Sequence, residues 1–439
     1  MAGYINPDGQ VRLVTKVFGN TNGKTVRAKS LWTNKDGVPT CIYREGERDL
    51  YIVGLSVKEG NSIFPMAYSY DLETFKACSI TMPSGYTSYK PNAIKNVYYS
   101  EKLKLFVALG YYLPNNYTTN STIRWYMMYS EDGKKWEVSK EFSYTYYSTW
   151  VLMVYDKEKD LFLIANQGVK PGSSGFYFYS STDGKNWNQV NYITPINAAN
   201  NNIYTAYNIG SILSPGDGYI YLSGTANSTF YDGSKYYPFL RTSDGVNFEL
   251  YGKGTDFNDA SLMYGSRSLL YNNGVYYSLD KSMYLYNSEM TSQSKDYYTV
   301  GIHKSSDNMQ SWEYIPLDVS SINKDWDGSQ YDGFFIINYK LFCSITKDND
   351  DESYLYSSES GLMWEKESVL DGTLEYLIFP VSEKNLFQIE EKFYRTHAAA
   401  LRSTVDGIVY VDESELAERM KNPFNLSSSS YVLAVKKAV

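Results

Sequence analysis

Cysteine is scarce in this chain of 439 residues: Cys41, Cys78 and Cys343 lie far apart, each in an apolar run, and none forms a Cys-x-x-Cys pair. That excludes a disulfide framework and a cysteine-held zinc, and leaves three buried thiols. Histidine is scarcer still, with only His303 and His397. A Ser-His-Asp hydrolase or a histidine-rich metal centre has little to draw on, and both histidines are expected to pack in the third strand of a repeat. Positive charge is also short, since 41 Lys and Arg against 49 Asp and Glu give a net charge of -8. Binding to nucleic acid or to anionic lipid needs a positive field, so neither is expected as a partner. No run of about 18 apolar residues occurs, which excludes a membrane-inserting helix. The opening MAGYINPDGQVRLV lacks the charged-then-apolar pattern of a signal peptide, and the expectation is synthesis in the cytoplasm without Sec export. Helical spacing is nearly missing until DESELAERMK, residues 412 to 421, which predicts one short helix.

What the chain has in excess is tyrosine, 46 residues, with Asn and Ser also abundant. Tyrosine joins a flat apolar face to a hydroxyl, which suits strands and binding surfaces alike.

A short motif repeats. YSSTDGKNW (179 to 187) recurs as YSEDGKKW (129 to 136), RTSDGVNF (241 to 248), KSSDNMQSW (304 to 312) and YSSESGLMW (356 to 364). YSYDLETF (68 to 75) precedes these copies and a degraded RSTVDGIVY (402 to 410) follows. The equivalent positions Asp71, Asp132, Asp183, Asp244, Asp307, Ser360 and Asp406 are 61, 51, 61, 63, 53 and 46 residues apart. Each copy is flanked by the same pattern: two strand-like runs joined by a charged turn, a variable loop, a third run entering the motif and a fourth leaving it. Four antiparallel strands per module, repeated six or seven times, predict an all-β chain folded as a β-propeller of seven or six blades. The expected division is a docking or ring-closing segment over 1–38, the propeller over 39–411, and a helix and strand over 412–439.

The motif resembles the Asp-box, or BNR repeat, of the sialidase-like propeller superfamily, over about residues 40 to 411. In that family the box is structural, which implies that Trp136, Trp187, Phe248, Trp312 and Trp364 are staples between blades. The resemblance also implies a ligand site on the opposite face, over the central channel. A sialidase would add three substrate-gripping Arg, a Tyr and Glu pair, and a Phe-Arg-Ile-Pro-like motif. That motif is missing here, and the chain has only ten Arg. Arg44 and Arg48 fall on the Asp-box side, and Arg124, Arg241, Arg267 and Arg395 do not map onto the pattern. Sialidase activity is not expected.

The loops assigned to the opposite face are long and combine Tyr, Trp, Asn and Asp. Aromatic platforms with amides and carboxylates complement the apolar face and hydroxyl rim of a sugar. Tyr112, Tyr146, Tyr147, Trp150, Tyr204, Tyr231, Trp326 and Tyr331 are the candidate ligand-binding residues. One module concentrates acid in two of its loops: Asp325, Asp327, Asp332, Asp348, Asp350, Asp351 and Glu352. Asp325, Asp327 and Asp350 are candidate carboxylates for glycoside hydrolysis, which needs two set roughly 5 to 10 Å apart. Asp348, Asp350, Asp351 and Glu352 offer hard oxygens to a Ca²⁺ ion, the one cofactor considered. A solvated acidic patch is the bland alternative.

A Tyr- and Asn-rich propeller with accessory ends also resembles, in style, the host-recognition proteins of bacteriophage tails. That resemblance implies recognition of a cell-surface glycan or glycopolymer without catalysis. It also implies tail or baseplate partners held through the terminal segments, and a place in a virion tail or extracellular particle. A glycoside hydrolase or lyase and a purely structural or protein-interaction propeller stand as alternatives.

Overall fold

A computed structural model of the chain describes residues 17–21, 24–28, 30–35, 38–44, 49–56, 63–85, 89–112, 123–144, 151–167, 176–190, 196–197, 209–224, 228–231, 234–254, 268–279, 301–316, 330–346, 353–367, 386–389, 391–397, 400–406, 411–424 and 430–436. Local chemistry is clearest in the repeated turns. The Ser130 hydroxyl donates to Asp132 at 3.2 Å, and the Gly133 N–H donates to Ser130 Oγ at 2.9 Å. The same Asp132 oxygen accepts the N–H groups of Lys134 and Lys135 at 2.7 and 2.8 Å. Equivalent nets form at Ser181 and Asp183, at Thr242 and Asp244, and, one residue longer, at Ser305 and Asp307. They satisfy N–H groups that a tight reversal would otherwise leave unpaired.

Gly184 shows why glycine follows the aspartate. Its φ is 68°, and a Cβ there would stand 2.5 Å from Val107 Cγ2 of the preceding sheet. The longer copy places Met309 instead, at φ 62°, with its side chain sunk in the core beside Tyr221 and Phe239.

Between these turns the chain forms antiparallel sheets in a propeller-like arrangement. Val151–Asp156, Leu161–Gln167, Phe176–Ser181 and Asn188–Val190 pair in chain order. Four more four-stranded sheets of the same kind span 209–251, 268–316, 330–366 and 386–412. A nine-stranded sheet holds two further series. One is Ser430–Lys436, Leu50–Ser56, Met66–Ser69 and Lys76–Ala77; the other is Ala93–Ser100, Leu105–Tyr112, Ile123–Ser130 and Lys135–Tyr144. The two meet at the pair Ser56↔Ala93, and Ser79–Thr81 runs parallel to Lys135–Tyr144. Five four-stranded sheets therefore stand alone among the described residues, fewer than the six or seven expected. The hydrogen bonds at Ser56 and Ala93 are what merge the other strands into one larger sheet.

Three smaller sheets complete the strands. Val17–Thr21 pairs with Lys24–Ala28, and Ser30–Lys35 with Val38–Arg44, so the division expected after residue 38 falls at the first residue of a strand. Ile196–Asn197 pairs with Ser228–Tyr231, which pairs with Tyr236–Tyr237, so a hairpin forms in a stretch whose composition is that of a loop.

Apolar cores lie between sheets that follow one another in the chain. Trp136 packs with Leu50, Ile52 and Phe106, across the two halves of the nine-stranded sheet. Trp187, Phe248, Trp312 and Trp364 take the corresponding places in the next four cores. Each of these aromatics sits against the sheet before its own, the staple role that the resemblance implies. Beyond them, Phe335, Ile337, Phe342 and Leu355 receive Phe393, and Ile389, Tyr394 and Leu401 pack against Tyr51, Val53 and Leu55. The helix, Ser414–Lys421, buries Leu416, Ala417 and Met420 in that last core. Cys78 and Cys343 are buried as expected, while the side chain of Cys41 lies outside the described residues.

His303 lies in a third strand, Gly301–Ser305, and is buried, which pushes its pKa down to about 4. His397 departs from expectation. It ends Lys392–His397, the second strand of its sheet, because the chain already reverses at Glu391 after Leu386–Ile389.

Candidate functional site

Strand order separates two ends of the molecule. The Ser-x-Asp turns join third and fourth strands and share an end with the turns between first and second strands. Connections between sheets, and those between second and third strands, leave from the other end. First strands approach one another from sheet to sheet: 151–156 with 209–213, 209–213 with 268–272, 268–272 with 330–337, and 430–436 with both 93–100 and 386–389. They line the axis, and the loop end surrounds its mouth.

On the loop end two tyrosines form a platform. Tyr89 precedes the strand Ala93–Ser100, and Tyr112 ends Leu105–Tyr112 in the same sheet. Their rings stack with centroids 4.6 Å apart at 20°. Tyr89 is 50% exposed, and Tyr112 is partly buried at the edge of the core. The Tyr126 hydroxyl donates to the Tyr89 carbonyl at 2.8 Å, and the Asn92 N–H to the Tyr111 carbonyl at 2.9 Å. Arg124, whose register partner is Tyr112, is held by Glu141 at 2.8 Å. Beneath, Tyr111 packs on the buried Trp125 with centroids 4.8 Å apart. Burial raises the Tyr111 pKa against a lowering hydrogen bond to Ser56. The platform thus rests on fixed backbone and presents ring surface that needs little reordering to accept a flat apolar ligand face.

Of the sequence-predicted ligand residues, Tyr112 is the one whose side chain is described. Tyr146, Tyr147, Trp150, Tyr204 and Trp326 lie outside the described residues. Tyr231 pairs with Tyr236 and Tyr331 with Ile345 by backbone, their side chains being outside the description. Tyr89 is not among the candidates the sequence offers. The signal for it is positional: it falls in the connection before the strand that pairs with Leu105–Tyr112.

The acidic candidates Asp325, Asp327, Asp348, Asp350, Asp351 and Glu352 also lie outside the described residues. Their flanks do not: Thr346 pairs with both Gln330 and Ser353, so the two acidic loops leave from adjacent strands at one end of one sheet. Asp332 sits at the bulge between Tyr331 and Gly333. Among the described residues no group of three or more His, Cys, Asp or Glu is placed to hold a metal.

The turn end is built differently, from ionic groups tied to the scaffold. Asp160 accepts from Ser100 at 2.5 Å and Tyr155 at 2.7 Å, and pairs with Lys102 at 3.1 Å. Arg241 lies 4.2 and 3.9 Å from the ring centroids of Tyr219 and Tyr251 and is held by Glu249 at 2.6 Å. Lys159 donates to the carbonyls of Gly218 and Ser243 at 2.5 and 2.6 Å. These groups are consumed by contacts between turns.

No family model matches this chain, and no curated protein does. Among solved structures it is similar to a protein from Lactobacillus plantarum, at 8% identity over 89% of this chain and 99% of that one, with a TM-score of 0.49. A GH74 xyloglucanase from Xanthomonas campestris is 11% identical over 82% of this chain and 51% of its own, with a TM-score of 0.47. The chain thus spans about half the length of that enzyme. A Trypanosoma rangeli sialidase in complex with the inhibitor DANA is 12% identical over 79% of this chain and 60% of its own, with a TM-score of 0.39. At these scores the likeness says nothing of chemistry.

Proposed function

We propose that the loop end of this protein binds a saccharide, a cell-surface glycan or glycopolymer, with Tyr89 and Tyr112 as stacking anchors. The observation that carries this reading is the stacked tyrosine pair at the loop end, half-exposed Tyr89 on partly buried Tyr112. Attachment of a phage-type particle to its host is the setting this reading favours, with tail partners held through the terminal segments. The two four-strand series in the nine-stranded sheet count as two more blades, which makes a ring of seven. Support comes from the core that joins Tyr394 and Leu401 to Tyr51 and Val53, linking the last sheet to the first.

The test is binding of labelled protein to intact cells and to a glycan array. Tyr112→Ala and Tyr89→Ala are each expected to weaken binding at least tenfold, about 1.4 kcal/mol. Unchanged affinity in both variants would sink the reading.

A second reading, a glycoside hydrolase, is favoured by one observation: the register partners of Thr346 bring the bases of the two acidic loops side by side. Sugar released from a bound polymer, and lost in Asp325→Asn, Asp327→Asn or Asp350→Asn, would establish it. Saturable binding with no release from any polymer retires it.

A further inference from the structure

Lys95 lies on the strand Ala93–Ser100, two residues from its loop end. Its strand, Ala93–Ser100, pairs with Leu105–Tyr112 so that Ile94 faces Gly110 and Asn96 faces Leu109, which leaves Lys95 as the extra residue of a β-bulge. The packing confirms the insertion. Ile94 and Val97 enter the same core, three positions apart, while Tyr98 packs on the opposite side of the sheet. An uninterrupted strand would place residues three apart on opposite faces. A bulge interrupts the ladder and re-aims a side chain, and bulges are frequent beside active and binding sites.

Three observations mark this lysine as more than a bulge filler. It lies on a first strand, where both faces of the sheet are packed and the remaining open direction is the axis or the loop end. The residue is half-buried, and that burial pulls its pKa below the ordinary lysine value. Among the described residues no carboxylate or other acceptor pairs with it, whereas Arg124, Arg241 and Lys340 are each matched by a Glu. The adjacent Asn96 is buried and its Oδ1 also lacks a hydrogen-bond partner. An unpaired cation held partly away from water is costly unless something else completes it.

We infer that Lys95 receives an anionic group of the bound glycan, a carboxylate of an acidic sugar or a phosphodiester of a glycopolymer. This deepens the saccharide reading and rests on it. Ala93 pairs with Tyr111 at the loop end of the strand, and Lys95 lies two residues further along, about 7 Å at the usual strand rise. One sugar unit spans that distance, so a ring on the tyrosines presents its acidic substituent, or the next unit's, to the amine. The acidic balance of the chain repels anions at long range, so discrimination here depends on this short-range contact.

The test uses an array of neutral, uronate-bearing and phosphodiester-bearing glycans, probed with the full-length protein and with Lys95→Met and Tyr112→Ala. Wild type should bind one acidic class at least tenfold tighter than its neutral counterparts, and which class wins identifies the anion. Lys95→Met should erase that preference and keep neutral binding, whereas Tyr112→Ala should weaken both. Equal binding of acidic and neutral glycans, or a preference that survives in Lys95→Met, overturns the inference and leaves the saccharide reading standing. If wild type binds no glycan, the saccharide reading falls by itself. The anion site is then judged on wild type alone, by acylating surface amines with and without inorganic phosphate or galacturonate and mapping Lys95 by mass spectrometry. Protection of Lys95 by either anion supports the site, and unchanged labelling overturns it. The same mapping decides the matter if Lys95→Met proves misfolded by its melting curve.

Discussion

At the scale of single residues, the repeated aspartates are the most informative. In Asp244, burial works against ionisation, but the N–H groups of Asn247 and Val246 and the Asn247 amide outweigh it and bring the pKa down to about 2. Asp307 is brought to about 2 chiefly by the Ser311 hydroxyl and N–H. An unfolded aspartate titrates near 4, so these folded carboxylates are the depressed case. Their contribution is complete above about pH 4 and is lost as the pH falls towards 2. Asp244→Asn and Asp307→Asn should therefore be less stable than wild type at neutral pH, and the gap should close between pH 4 and 2. Urea unfolding across that range checks it; a gap independent of pH would mean the carboxylate charge is not what matters. The motif aspartates were legible in the sequence because their partners lie within a few residues, and the staple aromatics because they recur at a near-constant offset from those aspartates. Tyr89 and Lys95 were not, because the stacking and the one-residue bulge depend on how Ala93–Ser100 registers against the next strand, Leu105–Tyr112, which composition does not set.

At the scale of elements, each turn is also a packing unit. Trp136 is fully buried against Leu50, Ile52 and Phe106, and its replacement by alanine should cost about 3–5 kcal/mol. Gly184→Ala should cost at least about 1 kcal/mol, since the new methyl meets Val107 Cγ2 and the backbone is left-handed. A control beside it, Lys185→Ala, which loses a surface ion pair with Glu131, should change stability by less than about 1 kcal/mol. Chemical unfolding of the three variants tests the order, and a Gly184→Ala protein as stable as the control would contradict the close approach between sheets. The helix at 414–421 was readable from its charges and apolar spacing. The hairpin at 228–237 was not, since its Tyr- and Asn-rich sequence has the composition of a loop and its strands are fixed by pairing with Ile196–Asn197.

At the scale of the whole molecule, the repeat announces the period but not the joins. Nothing local in SYVLAVK says that Ser430–Lys436 will pair along the full length of Leu50–Ser56. Nor does any local signal say that Ser56 will meet Ala93 and fuse two series into one sheet. Removal of residues 430–439 bares one whole edge of Leu50–Ser56 and strips Val432 and Ala434 from a core. The truncated protein should melt at a lower temperature, by a broader transition, and should associate with itself through the bared edge. Adding a peptide of residues 430–439 should restore the transition, and a truncated protein that unfolds like wild type would show the strand to be dispensable.

That pairing also sets a timetable for synthesis. The strand Leu50–Ser56 leaves the ribosome about 370 residues before its partner exists, some tens of seconds at ordinary elongation rates. During that interval the nascent chain carries an open edge of buried-type residues such as Ile52, Val53 and Leu55. A stalled or prematurely terminated message would release polypeptide in that sticky state, so the yield of finished protein depends on whatever shields the edge until translation ends.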